Sequence, residues 1–305
     1  MSWFAFFLII TSATFHATWN LLAKKSKMTL PFLFVLCLVS TLTVSNVFFW
    51  TPVNYLELPG KFWLSLCITL IGDALYWIGL MTAYKLMDMS SAYPMMRALP
   101  ILLTAAATWI LGFGTSLSWL AIAGFVLIFL GCMSMPLASF SEWNWKSYFT
   151  KNMFFVLVAA AGTTWYTIMD SQTQKILRDV VESASISAPV LSLSYTAIRE
   201  VMLALLIGIP VFVRKESRSQ LKNIWTTYRW SPVIAGISGA LTYGLVLMAM
   251  NYVDNVSYVQ VFRQVGLLIG MAGAVIFLKE KVTVPKVIGG ILIVTGLILS
   301  VLKME

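Results

Sequence analysis

The sequence predicts an all-α integral membrane protein, with ten transmembrane helices arranged as two inverted five-helix repeats around a central cavity. Three observations support this fold class. The composition is 59% apolar and 11% charged, the apolar residues fall in ten long runs, and the second half of the chain repeats features of the first. Because ordinary soluble domains carry about one quarter charged residues, the composition indicates a multi-pass membrane protein.

The ten runs meet the length criterion for a helix that crosses a bilayer, which is about 20 mainly apolar residues. They occupy residues 3–22, 30–52, 62–86, 92–113, 117–137, 152–171, 190–213, 231–253, 257–278 and 283–302. The links between the runs are too short for a soluble domain. Residues 1–10 lack the basic segment of a cleavable signal peptide, so we expect the first run to be retained as a helix.

Lysine and arginine predict how the helices face. Fourteen of these residues follow odd-numbered runs and four follow even-numbered runs. The positive-inside rule therefore places the odd-numbered links in the cytoplasm and both termini outside it. The expected location of the protein is the cell (inner) membrane. The net charge of +9 is spread over short links rather than gathered on one patch, so nucleic acid is not an expected partner.

The second half of the chain matches the first at a shift of 166 positions. The matches include Ala74 with Ala240, Asp88 with Asp254, Arg97 with Arg263 and, after a slip of one residue, Gly124 and Gly131 with Gly289 and Gly296. The predicted repeats are residues 1–150 and 151–305, with five helices each. Because five is odd, the second repeat crosses the membrane in the opposite direction, and inverted repeats commonly bind substrate near the midplane.

Two arginines lie at matching places inside apolar runs, Arg97 in SAYPMMRALP and Arg263 in VSYVQVFRQV. A charge at membrane depth is costly and is a functional hypothesis by default. A guanidinium can bind a carboxylate or phosphate through two hydrogen bonds, so the two arginines predict two positively charged positions that bind a solute. The structural alternative stays open: each arginine reaches its interface or binds backbone carbonyls at a helix end.

Four further ionisable residues are candidates for ion coupling or for charge pairing: Asp73, Asp170, Arg199 and Glu200. Asp73 lies near the centre of the third run, where an ionised and unpaired carboxylate costs about 2.5 kcal/mol or more. It is either a proton or cation site or the structural partner of an arginine. Arg199 and Glu200 are adjacent and point about 100° apart on a helix, so each is expected to need a partner on another helix.

Aromatic and polar residues share helix faces and are candidates for solute binding. They are His16, Trp19 and Asn20 in the first run, Trp165, Tyr166 and Asp170 in the sixth, and Tyr76, Trp77 and Tyr243 elsewhere. Such rings with a few polar groups suit an amphipathic solute or a quaternary ammonium. Packing and interface roles are the alternative. A single histidine excludes an all-histidine metal site, and no metal or cofactor is expected.

Several of these segments together resemble a known family. HATWNLLAKKS in the first run, AYPMMRALP in the fourth and VSYVQVFRQVGLLIGMAGAVIFLKEK in the ninth are similar to EamA-type members of the drug/metabolite transporter superfamily, and the resemblance covers the whole chain. The first repeat departs from the pattern, with Gly114 where the second has Glu280. The resemblance implies a transporter of small organic solutes, often an exporter of amino acids or related metabolites, with a central cavity.

The sequence favours a secondary transporter over an enzyme. It contains no GxxxxGK[ST] loop for ATP hydrolysis and no HExxH or GxSxG motif. The leading prediction is export of amino acids or related zwitterionic or anionic solutes by alternating access. The alternatives are transport of quaternary amines or other amphipathic solutes, flipping of a lipid-linked substrate, and a channel or structural role. Expected partners are a small organic solute and membrane lipids, with monomer and homodimer both open.

Overall fold

The computed structural model describes residues 2–26, 28–86, 89–135, 137–144, 151–181, 186–278 and 282–302. Within its helices, the side chains at positions 20, 21, 23–25, 89–94, 270, 273–278 and 301 lie outside the description. The described residues form helices, turns and links, and no strand occurs among them. The all-α class predicted from composition is therefore confirmed for this part of the chain.

The helices follow the predicted runs in order. They are α1 (Trp3–Lys25), α2 (Leu30–Val44), α3 (Val47–Trp50), α4 (Gly60–Leu86), α5 (Met89–Leu111), α6 (Trp119–Ser134), α7 (Met153–Val181), α8 (Ala188–Val213), α9 (Lys215–Lys222), α10 (Ile224–Tyr228), α11 (Ser231–Met250), α12 (Ser257–Phe262), α13 (Val265–Leu278) and α14 (Val284–Val301). The second run is divided between α2 and α3, and the ninth between α12 and α13. Short 3₁₀ turns occupy Tyr55–Glu57 and Phe140–Glu142.

Five segments of the described chain are long and apolar enough to span a membrane. They are Leu30–Trp50, which contains α2 and α3, and the helices α4, α7, α8 and α11. Shorter apolar helices lie at Trp3–Trp19, Met95–Leu111, Trp119–Ser134 and Val284–Ser300. On α4, the side chains of Leu64, Ile71 and Ile78 are exposed at a spacing of seven residues, as expected of a face that meets lipid. Crossing by all ten runs stays a prediction.

Local sequence determines where several helices begin. Thr29, Ser118 and Thr283 precede α2, α6 and α14, and each side-chain oxygen accepts a hydrogen bond from a backbone N–H in the first turn. This N-cap contact satisfies a donor that the helix itself leaves unpaired. Pro31 and Pro285 lie in the first turns of α2 and α14, where the missing N–H of proline costs nothing.

The chain divides into two compact units, each of which draws on both halves of the sequence. The first unit contains Met1–Phe6, Ile71–Ile168 and Tyr252–Glu305, and the second contains Phe7–Leu70 and Met169–Asn251. The boundary falls inside α1, α4 and α7. The predicted repeats, residues 1–150 and 151–305, describe an internal similarity of sequence and stay a prediction.

In the first unit, α6 and α14 pack through glycines. A Cβ added to Gly124 would lie 2.5 Å from the carbonyl oxygen of Gly296, and one added to Gly289 would lie 2.7 Å from that of Gly131. Only a hydrogen fits at such distances, as in other close contacts between membrane helices. The glycines matched by the sequence repeat thus meet in crossed pairs, Gly124 with Gly296 and Gly131 with Gly289.

The ninth predicted run forms two helices instead of one. Between α12 and α13 lie Arg263 and Gln264. The N–H of Gly266 bonds to the carbonyl of Arg263 at 3.2 Å, and that of Leu267 to the carbonyl of Gln264 at 2.9 Å. These bonds span three residues, which is the tighter 3₁₀ spacing. Transporters commonly place substrate and ion sites at discontinuous helices of this kind.

In the second unit, α2, α8 and α11 pack around a core of small and branched side chains. Val44, Val47, Ala197 and Ala240 form one buried cluster in this core. α1 is joined to α11 because the hydroxyl of Ser12 donates to the backbone carbonyl of Thr242 at 2.7 Å. The close packing of α8 and α11 brings polar side chains of these helices next to α7.

Asn255 connects the link after α5 to the start of α12. Its Nδ2 donates to the carbonyl of Thr115 and its Oδ1 accepts from the N–H of Ser257, both at 2.9 Å, while the residue is 3% exposed. We expect Asn255→Ala to lower the free energy of unfolding by about 1–3 kcal/mol, because two buried backbone groups lose their partner. Thermal unfolding of the purified protein in detergent measures the change.

The matched control for this prediction is Asn54→Ala. The Oδ1 of Asn54 accepts from the N–H of Leu56 at 3.2 Å, which is the same local turn contact that Asn255 makes. The side chain of Asn54 is exposed to solvent. Water can replace the lost bond at this position, and the change is expected to be small. Equal losses for the two variants would contradict the role assigned to Asn255.

Candidate functional site

The second unit holds a buried group of charged and phenolic side chains, which we name the Asp170 cluster. Its members are Asp170 on α7, Tyr195, Arg199 and Glu200 on α8, and Tyr243 on α11. Asp170 and Tyr195 are fully buried, and Arg199 and Glu200 are 3% and 5% exposed. Charged side chains are rarely buried to this degree unless they are paired, so the cluster requires internal compensation.

Asp170 accepts hydrogen bonds on both oxygens of its carboxylate. The hydroxyl of Tyr195 donates to Oδ1 at 2.5 Å, and Nε of Arg199 donates to the same oxygen at 3.2 Å. The hydroxyl of Tyr243 donates to Oδ2. An ionised carboxylate acts only as an acceptor, so three donors around one group match the anionic form of Asp170.

Arg199 joins the two carboxylates of the cluster. Its Nη1 lies 3.3 Å from Oε1 of Glu200, and its Cζ lies 4.3 Å from the centre of the Tyr243 ring. Arg199 and Glu200 each have the expected partner on another helix, Asp170 for Arg199 and Ser40 for Glu200, and their mutual contact was not expected. The long side chain of arginine lets one nitrogen reach along α8 while another pairs with Asp170 on α7. Glu200 also hydrogen-bonds Ser40 of α2.

A second polar network lies one helical turn further along α7. The hydroxyl of Ser192 donates to Oε1 of Gln174 at 2.8 Å, and Nδ2 of Asn251 donates to Ser192 at 2.5 Å. Sequence reasoning missed these residues, because isolated amides and hydroxyls are common in apolar helices. The signal that indicates them is the spacing of four residues between Asp170 and Gln174, which puts both on one face of α7.

His16 and Trp19 contact each other on α1, as their spacing predicts. Nε1 of Trp19 donates to Nδ1 of His16 at 3.0 Å, and the rings meet edge to face with centroids 5.2 Å apart. The two residues are 8% and 7% exposed. The side chain of Asn20 lies outside the described residues. Because Nδ1 of His16 is the acceptor in this bond, it carries no proton there.

In the first unit, the two arginines matched by the sequence repeat contact each other. Nη2 of Arg97 donates to the backbone carbonyl of Arg263 at 2.7 Å, at the end of α12. Arg263 is 6% exposed, and Arg97 is half-buried. This bond is the backbone contact that the structural alternative expected of Arg97. The binding of a solute by either arginine stays a prediction.

Amide and hydroxyl groups surround these arginines in what we name the Arg263 cluster: Arg97, Thr167, Gln260, Arg263 and Gln264. Gln260 donates its Nε2 to Thr167, and Gln264 donates its Nε2 to the carbonyl of Gln260 at 2.9 Å. Gln264 is 1% exposed, and its Oε1 has no hydrogen-bond partner within the described part of the chain. A buried acceptor without a partner is costly, and it indicates a position that a ligand can satisfy.

The predicted stripe Trp165, Tyr166 and Asp170 lies on α7, and the binding of a solute by its members stays a prediction. Tyr166 lies in the first unit, where its ring meets Tyr76 at 5.8 Å, and Tyr76 in turn meets Trp77 at 4.9 Å. Trp165 is 46% exposed, whereas Tyr166 is 6% exposed.

The remaining candidates also occupy defined places. Asp170 belongs to the second unit, together with Tyr243, and Asp73 is buried in the first unit at 3% exposure. Across the described residues, no group of three or more His, Cys, Asp and Glu side chains could hold a metal ion. Most of the candidates therefore belong to the two polar clusters or to the aromatic group of Tyr76, Trp77 and Tyr166, whereas His16 and Trp19 form a pair on α1.

Comparisons with known proteins bear on family and fold. Residues 180–302 match the model of the EamA-like transporter family. A protein of known crystal structure is similar to the chain with a TM-score of 0.69 and 17% sequence identity, over 97% of this chain and 96% of the other. At that identity the likeness shows the fold alone. No curated protein matches the sequence. Arg199, Glu200, Tyr243 and the α12–α13 break lie in the matched region.

Proposed function

We propose that this chain, a member of the drug/metabolite transporter superfamily through its EamA-like match, is a secondary transporter that exports amino acids or related zwitterionic or anionic solutes. Several apolar helices of membrane-spanning length agree with a multi-pass membrane transporter. Alternating access by two inverted repeats, residues 1–150 and 151–305, is the mechanism we propose. In our proposal the cytoplasm holds the odd-numbered links and both termini lie outside.

The Arg263 cluster carries the proposal for the class of solute. Two guanidinium groups at a break between helices can bind a carboxylate through charged hydrogen bonds, which are stronger than neutral ones. The buried Oε1 of Gln264 is an acceptor beside Arg263, and a protonated amine is a donor. Together these groups suit a solute that carries both charges, such as an amino acid.

A second class of solute is supported by the aromatic group of Tyr76, Trp77 and Tyr166. Their rings lie in edge-to-face contact, with centroids 4.9 and 5.8 Å apart. Aromatic faces attract quaternary ammonium groups by cation–π contact. A quaternary amine such as choline is therefore the alternative solute, and the two classes are distinguished by which ligands stabilise the folded protein.

A stabilisation screen followed by transport tests this proposal. The probes are L-amino acids, choline, nucleosides and organic phosphates, and a ligand that binds the folded state raises the melting temperature. We expect Arg263→Ala to weaken the binding of amino acids by roughly 10- to 150-fold, as the loss of a charged hydrogen bond of about 1.5–3 kcal/mol predicts. Counterflow of radiolabelled amino acids in proteoliposomes should fall in parallel.

The matched control is Arg178→Ala, which removes an exposed arginine near the end of α7. Gln264→Leu adds a test of the amine contact: it should weaken the binding of amino acids more than the binding of simple carboxylic acids of the same length. If choline were the only probe that stabilised the protein, the proposal of a zwitterionic or anionic solute would be contradicted. Equal transport by Arg263→Ala and Arg178→Ala would remove Arg263 from solute binding.

A further inference from the structure

We infer that Glu200 is the proton-binding group of this transporter, with Asp170 as the fixed anion of the same cluster and Arg199 as the cation that both carboxylates share. The inference rests on the proposed transport function and adds the ion that drives it. It assigns different roles to two carboxylates that lie on either side of one guanidinium.

The charges of the Asp170 cluster do not balance when both carboxylates are ionised. Asp170 and Glu200 then contribute two negative charges and Arg199 one positive charge, in a group whose charged members are at most 5% exposed. An uncompensated charge in such surroundings is strongly unfavourable, and the group neutralises instead. One proton on a carboxyl group makes the cluster neutral, so the structure favours a bound proton.

In the part of the chain that the structure describes, the helices around the cluster bring no second cation to Glu200. Among the described residues, the charged groups that act on Glu200 are Arg199 and Asp170, and α2 contributes the hydroxyl of Ser40. α4 contributes Phe62 and Thr69, which contact Tyr195. α11 contributes the phenol of Tyr243, and α3 has no ionisable residue.

The basic residues of α9 are also far from the cluster. They lie beyond the end of α8 at Val213, which is thirteen residues from Glu200 and about 20 Å along the helix. The lysine and arginine side chains of α9 therefore leave the charge of the cluster uncompensated. The balance of charge depends on Arg199 and on the bound proton.

Hydrogen bonding decides which carboxyl group takes the proton. Asp170 accepts hydrogen bonds from a guanidinium and two phenols. A proton on Asp170 would weaken its bond with Arg199, and one phenol would have to accept a hydrogen bond instead of donating it. Glu200 has one longer contact with Arg199 at 3.3 Å, together with Ser40. A serine hydroxyl can donate to a carboxylate or accept from a carboxyl group, so Ser40 suits both forms of Glu200.

In this step a carboxylate oxygen of Glu200 takes a proton from a hydronium ion of the solvent, so one O–H bond forms on Glu200 and one O–H bond of hydronium breaks to leave water. When Glu200 carries the proton, Arg199 is balanced by Asp170 alone. When the proton leaves, Arg199 is attracted by two carboxylates on α7 and α8. These two arrangements differ in electrostatic energy, which is what a proton needs in order to shift a conformational equilibrium.

Infrared spectroscopy of the full chain in lipid vesicles tests the site without any substrate. We expect Glu200→Gln to remove one component of the carbonyl stretch of protonated carboxyl groups at neutral pH. The control is Glu57→Gln, which removes an exposed carboxylate in the second unit and should leave the spectrum unchanged. Identical spectra for the wild type and Glu200→Gln would overturn the inference.

Transport of a radiolabelled L-amino acid mixture tests the coupling. Glu200→Gln should keep counterflow in proteoliposomes and lose accumulation driven by a pH gradient by at least tenfold, because glutamine imitates the neutral form but cannot release a proton. Gradient-driven accumulation equal to that of the wild type would overturn the inference.

The wild type provides a measurement that is independent of how the variant folds. If it carries amino acids by proton coupling, their entry changes the pH inside vesicles that hold a pH-sensitive dye. Counterflow without this pH change would overturn the coupling and leave the transport function standing. Absence of counterflow for every probe in the wild type would instead contradict the transport function, whatever the infrared result.

Discussion

Asp170→Ala is expected to destabilise the folded protein by about 3–5 kcal/mol, the range observed when one partner of a buried ion pair is removed. The reason lies in Arg199, whose guanidinium is 3% exposed and loses the carboxylate that accepts its Nε at 3.2 Å. The hydroxyls of Tyr195 and Tyr243 lose their acceptor in the same substitution. Thermal or denaturant unfolding in detergent measures the effect.

A control and a double variant isolate the electrostatic part of this loss. Asp179→Ala removes an exposed carboxylate of the same helix and should change stability by less than about 0.5 kcal/mol. Asp170→Ala combined with Arg199→Leu also removes the buried guanidinium that has lost its contact with Asp170, so it should be more stable than Asp170→Ala alone. A double variant less stable than the single one would show that the cluster is held by something other than charge.

Gly289→Ala is expected to destabilise the contact between α6 and α14 by about 1–3 kcal/mol, the usual cost of forcing extra atoms into a packed interface. The new Cβ would lie 2.7 Å from the carbonyl oxygen of Gly131, which is backbone and can move only if the helices separate. The melting temperature in detergent reports the change, and Gly124→Ala should act alike at the other crossing, where the distance is 2.5 Å.

The neighbouring residue Gly290 provides the matched control. A Cβ added there would lie 3.6 Å from Cε of Met271 and 3.7 Å from Cδ2 of Leu268, which are ordinary contacts with flexible side chains. Alanine also favours a helix over glycine by about 1 kcal/mol, so Gly290→Ala should be neutral or stabilising. A loss for Gly290→Ala as large as that for Gly289→Ala would contradict the close contact.

The positions of the helices could be predicted from sequence because they depend on local properties. Runs of apolar residues have the length needed to cross a bilayer, and Thr29, Ser118 and Thr283 begin helices through contacts with residues three positions away. The break between α12 and α13 was not predicted. Arg263 and Gln264 lie in an apolar run that predicts one continuous helix. At the break, the backbone carbonyl of Arg263 accepts a hydrogen bond from Arg97, which lies 166 residues earlier in the chain.

The ionisable members of the site could also be identified from sequence, because a charge inside an apolar run is conspicuous whatever surrounds it. Their grouping could not. Asp170 shares a predicted stripe with Trp165 and Tyr166, yet its partners Tyr195 and Tyr243 lie 25 and 73 positions further along the chain. A tyrosine in an apolar helix looks like a packing residue until its hydroxyl is seen to donate to a carboxylate.

Sequence by itself thus determined the helical class, the residues that form most helices and the few charged residues inside apolar runs, because each follows from hydropathy over a short window. The tertiary structure decided which of those charges share one environment. Arg199 meets two carboxylates, and Arg97 meets the backbone of Arg263. Such partnerships depend on which helix faces pack together, and packing is a property of the whole chain rather than of any segment.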